Sequence, residues 1–239
     1  MRLYSSIYTG ESMSKRQEIR ERQRKQKEQK KMITLGAIII GAGLIAAALI
    51  YPSLNRGEKV HTRYMQQDNA MGNPDAPVKI VEYSSYKCGH CAAFFFETEP
   101  LLEEEYIKTG KVYFVHKSIW DELAAEASYC AGEQNKYWEM HDLLFANQTM
   151  PFDEDAMAGW AKSAGVDMEQ FNNCMANDTY VDRVTQDNEE SQTAGVEGTP
   201  SFIISYVLDG EVVEQMLPGN YPYEAFQQVI DDALAKSGK

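Results

Sequence analysis

The sequence predicts an α/β domain carried behind one transmembrane helix, and three observations predict it. Residues 78–116 read as a short strand, a helical stretch and a second strand; residues 201–236 read as strand, tight turn, strand and amphipathic helix. An uncharged run of twenty residues, Met32 to Tyr51, precedes both. Four units follow: a basic cytoplasmic leader (1–31), a transmembrane anchor (32–51), a linker (52–76) and an α/β domain (77–239) with a helical insert over about 120–195.

The leader holds ten Lys/Arg and four Glu, a net +6, spaced as Glu–Lys/Arg pairs suited to a solvated or headgroup-facing helix. The anchor, MITLGAIIIGAGLIAAALIY, covers about 30 Å at a helical rise of 1.5 Å per residue, which matches a bilayer's hydrocarbon core. A cleaved signal peptide is the alternative, but its apolar region spans only about 7–15 residues behind a short leader. With the cations before the span, the positive-inside rule keeps the N-terminus cytoplasmic and places residues 52–239 outside the cell membrane, which the chain crosses once.

Pro52, Gly57, Gly72, Pro74 and Pro77 punctuate the linker. Val78 to Tyr83 is a strand that runs into SSYKCGHC and an apolar helical stretch, which Pro100 should kink. Lys111 to His116 is the next strand. From about Asp121 to Ala194 the pattern is helical, with Tyr137, Met140, His141 and Leu144 sharing a face. Ser201 to Val207 and Glu211 to Leu217 flank Asp209-Gly210, a hairpin turn signal, and Phe226, Val229, Ile230, Ala233 and Leu234 mark the closing helix.

Composition excludes several classes. The chain has 239 residues, 44% hydrophobic and 25% charged, with a net charge of −13. A mean hydropathy of −0.46 argues against a polytopic membrane protein. The acidity, −19 over residues 52–239, argues against nucleic acid as a partner. Four cysteines are too few for a disulfide-dense scaffold.

Cys88-Gly89-His90-Cys91 stands at a strand-to-helix junction. Two cysteines at i and i+3 share a helix face, so their sulfurs can meet. The first lies over the helix N-terminus, where free N–H groups stabilise a thiolate, and His90 adds positive charge. Such a thiolate is both attacker and leaving group, as disulfide exchange requires. Zinc would need four ligands, and no second closely spaced Cys/His pair exists; haem attachment would need His where Ala92 stands. A merely structural local disulfide is the remaining alternative. No metal and no cofactor beyond the dithiol itself is expected. Glu82, six residues before Cys88, either lies buried beneath the pair and relays a proton to Cys91 or faces solvent. Thr199-Pro200 precedes a strand, where a cis peptide would expose backbone groups to an extended substrate.

The runs GNPDAPVKIVEYSSYKCGHC, AGEQNKYWEMHDLLFANQ and GVEGTPSFII resemble the DsbA-like branch of the thioredoxin superfamily over about residues 65–236. The resemblance implies a thioredoxin-like fold with a helical insertion. It makes Cys88 the exposed nucleophile, Cys91 the buried resolving thiol, Glu82 the buried acid, and Thr199 and cis-Pro200 the substrate-binding turn. Similar members carry a second disulfide, which implies a structural Cys130–Cys174 bridge; two free thiols or a second redox pair are the alternatives. The implied activity is that of a monomeric oxidoreductase introducing disulfides into exported cysteine-containing proteins. A membrane oxidase of the DsbB or vitamin-K-epoxide-reductase type would reoxidise it. Gly-His in place of Pro-His is similar to eukaryotic disulfide isomerases, so isomerase or reductase is the rival activity. A non-catalytic holdase or assembly factor is the rival from another class.

His61, His116 and His141 read as isolated linker, strand-end and helix residues. Glu103-Glu104-Glu105 and Glu189-Glu190 read as solvated faces, with calcium binding as the alternative.

Overall fold

The computed structural model describes residues 31–32, 66 and 68–237. The leader, the anchor and the first part of the linker, His61 included, lie outside the described residues apart from Lys31, Met32 and Gln66. Among the described residues no helix is long and apolar enough to cross a membrane.

Five strands form one sheet: β1 (Ala70–Met71), β2 (Val78–Ser84), β3 (Val112–Ser118), β4 (Ser201–Leu208) and β5 (Glu211–Pro218), in the order β1-β3-β2-β4-β5. β2 and β3 run parallel, joined by a helical crossover; the other pairs are antiparallel. Register aligns Glu82 with His116 on one side and Phe202 on the other. Residues two apart on a strand share a face, so Val78, Ile80 and Glu82 lie level with Val112, Phe114 and His116. This is the buried face. Phe94 packs there against Phe202 and Phe226, with ring centroids 4.5 and 5.4 Å away.

β1 lies inside the stretch read as linker. Ala70 and Met71 pair with Val115 and Phe114, Met71 is fully buried, and the Asn69 amide donates to the His116 carbonyl at 2.7 Å. Two residues leave no periodic signal, so hydropathy could not find this strand. Gly72 follows at φ +93°, where a Cβ would stand 2.6 Å from the Val112 carbonyl oxygen.

The crossover after β2 starts as helix α1 (Gly89–Ala93), widens into a π-turn over Phe94–Thr98, tightens into α2 (Glu99–Leu102) and widens again over Glu103–Ile107. Pro100 sits in the first turn of α2, where a missing N–H is tolerated, so the interruption expected at Pro100 takes the form of two π-turns around a short α segment. Glu103 is buried, with Lys108 Nζ 3.8 Å from its carboxylate, whereas Glu104 and Glu105 are exposed. The reading of all three as solvated fails at Glu103, because widening the helix turns it inward.

The insert comprises α3 (Glu122–Gly132), α4 (Tyr137–Ala146), α5 (Glu154–Ala164), α6 (Met168–Ala176) and α7 (Val181–Thr193). Asp153 caps α5 by accepting from the Ala156 N–H, and Asp167 caps α6 by accepting from Glu169 and Gln170. Met140, Leu144, Ala161 and Phe171 belong to a second core between these helices. On α7, Glu189 is exposed, but Glu190 pairs with Lys117 of β3, which also reaches the fully buried Asp187 at 2.8 Å. After the Asp209-Gly210 turn, both residues at positive φ, β5 leads to α8 (Tyr223–Lys236), which buries Phe226, Ile230 and Ala233.

Candidate active site

The CGHC motif sits where β2 gives way to α1, on a loop held from several sides. The Cys88 N–H donates to the Ser85 carbonyl at 3.0 Å. The Ser85 hydroxyl and the Lys87 N–H both donate to Asp121, at 2.5 and 3.2 Å. From the insert, the Gln148 amide donates to the Tyr86 and Cys88 carbonyls, each at 3.2 Å. Asp121 and Gln148 are positioning residues that sequence reading missed, since only the tertiary fold brings them to the loop.

Cys88 caps α1 with extended backbone (φ −87°, ψ 121°), so its side chain stands over the first-turn N–H groups. It is half-buried and free; Cys91, one turn on, is free and fully buried. The Cys88 thiol donates to the Thr199 carbonyl at 3.3 Å, and Thr199-Pro200 is a cis peptide. Pro200 leads into β4, which pairs with β2, so the two distant segments meet through the sheet. Beside the Thr199-Pro200 turn, an open cleft of about 310 Å³ is lined by Thr199, Pro200, Met216 and Pro218.

The two thiols are driven apart electrostatically. Burial raises the Cys88 pKa, but hydrogen bonding from the Thr199 side chain and from the Cys91 and His90 backbone outweighs it, and the net direction is down. Burial pushes the Cys91 thiol far up, and the charge of Glu82 pushes it further. The site thus favours the thiolate at Cys88 and disfavours it at Cys91. His90 is exposed, and its backbone N–H is among the donors to Cys88. Glu82 is 1% exposed, on the buried face of β2.

Cys130 of α3 and Cys174 of α6 are joined by a disulfide, their Cα atoms 5.8 Å apart. Both are buried within the insert core. Among the described residues no group of three His, Cys, Asp or Glu side chains could hold a metal ion.

Two histidines read as isolated come together. His116 and His141 are both fully buried, with ring centroids 4.5 Å apart at 85°. His116 Nδ1 lies 2.8 Å from the Tyr137 hydroxyl. Strand alternation carried a signal only for the burial of His116: Val112, Phe114 and His116 share parity and so share a face.

A family model described as thioredoxin matches residues 65–232. The chain is 29% identical to the probable disulfide bond formation protein D of Bacillus cereus, over 86% of this chain and 98% of that one. It is 30% identical over 72% of its length to the Na(+)/H(+) antiporter NhaA 3 of Salinispora tropica, of which it spans 25%. Among solved structures, alpha-DsbA1 of Wolbachia pipientis matches with a TM-score of 0.64 at 25% identity, over 74% of this chain and 95% of that one. The chain belongs to the thioredoxin family, in its DsbA-like branch, and is a protein thiol-disulfide oxidoreductase.

Proposed function

We propose that this protein is a membrane-anchored extracytoplasmic oxidase that introduces disulfides into exported proteins through Cys88 and Cys91. The observation that carries the proposal is the opposed pair of thiols: Cys88 half-exposed with its pKa lowered, Cys91 buried with its pKa raised. A stabilised thiolate favours the reduced form, which makes the disulfide form an oxidant. A substrate thiolate attacks Cys88 Sγ of the oxidised enzyme. The Cys88–Cys91 bond breaks, and Cys91 leaves with the electron pair and takes up a proton. A second substrate thiolate attacks the substrate sulfur of the mixed disulfide, expels Cys88 as thiolate and closes the substrate disulfide. Backbone groups of Thr199 and Pro200 flank the extended substrate, Thr199 contributing the carbonyl already within reach of Cys88. Reoxidation requires an electron acceptor outside this chain, and a membrane oxidase of the DsbB or vitamin-K-epoxide-reductase type supplies that chemistry. The apolar span Met32 to Tyr51 and the basic leader before it support the anchored, outward-facing arrangement.

The test is oxidation of a reduced, unfolded test protein. Wild type forms disulfides in it, and Cys88→Ser forms none; activity retained in that variant sinks the proposal. The reduction potential against glutathione then separates the rivals: a value near thioredoxin's means reductase, and a much more oxidising one means disulfide donor.

A further inference from the structure

When the active-site disulfide opens, Cys91 must gain a proton, and when it closes the proton must leave. Cys91 is fully buried and Glu82 is 1% exposed, so exchange between Glu82 and water needs a path through the protein. The sheet limits the choices. On its face, Glu82 lies between Phe202 and His116 across the strands and between Ile80 and Ser84 along its own. Of these four neighbours, His116 alone carries an imidazole, a side chain that can both accept and donate a proton. His116 and His141 meet edge to face, their centroids 4.5 Å apart. The Nδ1 of His141 lies 3.0 Å from Oδ1 of Asp142, whose side chain is 14% exposed. The other ring nitrogen of His141 is buried with no hydrogen-bond partner among the described residues, so the step between it and His116 runs through one bridging water. A row of titratable groups therefore runs from the acid beneath the dithiol to the edge of the insert.

We propose that His116 and His141 form a proton conduit between Glu82 and solvent at Asp142. The conduit rests on the oxidoreductase reading and deepens it. In the opening step, substrate sulfur bonds to Cys88, the Cys88–Cys91 bond breaks, and Cys91 takes the proton of the Glu82 carboxyl. The Glu82 carboxylate recovers a proton from His116, which is resupplied through His141. On reoxidation the electron pair leaves to the membrane oxidase and the proton returns by the same row. The groups facing His116 from the surrounding elements are Glu82 of β2, Tyr86 of the active-site loop, and Tyr137 and His141 of α4. Tyr86 and Tyr137, whose pKa values burial drives far up, do not exchange charge at neutral pH. His116 and His141 are positioning residues, because they act on the sulfurs only through Glu82.

The experiment uses the full-length chain with His116→Gln, His116→Phe, His141→Phe, Glu82→Gln and the Glu82→Gln/His116→Gln pair. Two rates are read between about pH 6 and 9. One is opening of the oxidised enzyme by a reduced cysteine peptide; the other is alkylation of Cys88 in the reduced enzyme. Glu82→Gln should slow opening about 100-fold and both His116 variants about tenfold, with His141→Phe less affected. The pH dependence of opening differs from wild type in both His116 variants. The double variant opens no more slowly than Glu82→Gln alone, because both changes interrupt one path. Alkylation of Cys88 stays within about twofold of wild type, which a general loss of structure would not permit. Wild-type opening rates and pH profiles in both His116 variants overturn the conduit, as does multiplicative slowing in the double variant. The parent reading fails separately, through an inactive wild type or an active Cys88→Ser.

Discussion

The catalytic unit and the helical insert each hold one cysteine pair, and the two differ in everything except the element. Cys88 and Cys91 are three positions apart, and Cys88 borders solvent at the start of a helix. Cys130 and Cys174 are 44 positions apart and tie α3 to α6 inside an apolar core. Placement decides the chemistry: hydrogen bonds that lower the Cys88 pKa suit the first pair to exchange, while burial among Met140, Leu144 and Phe171 leaves the second no thiol to meet. The insert is also more than packing, since it sends Gln148 to the carbonyls of Tyr86 and Cys88 in the active-site loop.

The largest expected effect breaks this contrast outright. Cys88→Ser should abolish oxidation of a reduced test protein, while unfolding of the reduced enzyme loses only the pH-dependent contribution of the Cys88 thiol. The paired substitution Cys130→Ala/Cys174→Ala should do the converse. In a loop-entropy account, releasing a link across 44 residues lowers stability by about 4 kcal/mol, read as a shift in the denaturant midpoint. Full stability without the link would show that it braces nothing.

A pH series sharpens the contrast further. Cys88 titrates lower in the folded chain than in the unfolded one, so within that window the unfolded reduced chain holds the extra proton. Stability of the reduced form therefore rises with pH up to the ordinary thiol range, and that contribution is lost as pH falls through the folded Cys88 value. Cys91 shifts the other way, so its contribution is present at low pH and declines above the ordinary thiol range. The gap between reduced and oxidised melting curves should follow both slopes, since the disulfide form titrates neither thiol; a gap independent of pH would contradict them. The smallest effect belongs to the insert alone. Asp167→Ala uncaps α6 and should lower stability by about 1 kcal/mol with the Cys88 alkylation rate unchanged. A changed alkylation rate would mean that the two regions are mechanically coupled at this cap.

Much of this was legible in the sequence because it is local. CGHC announces its own turn, Asp209-Gly210 its hairpin, and Tyr137, Met140, His141 and Leu144 their buried face. Features built from residues distant in sequence were not legible. β1 is too short to show a period. The π-turns follow no 3.6-residue pattern, so Glu103 passed for a surface residue. Glu190 passed for one as well, because Lys117 reaches it from 73 positions away. The meeting of His116 with His141 depends on strand register and on how α4 settles over the sheet, and no spacing along the chain encodes either.

The two edges of the sheet carry a consequence for life at high protein concentration. One edge is the two-residue β1; the other is the eight-residue β5, most of it exposed. A free edge of that length is a template on which a partly unfolded client could zip and aggregate. Glu211 and Glu214 place negative charge along β5, and Pro218 at its end withholds a donor. An oxidoreductase of protein thiols thus keeps its own border inhospitable to other strands.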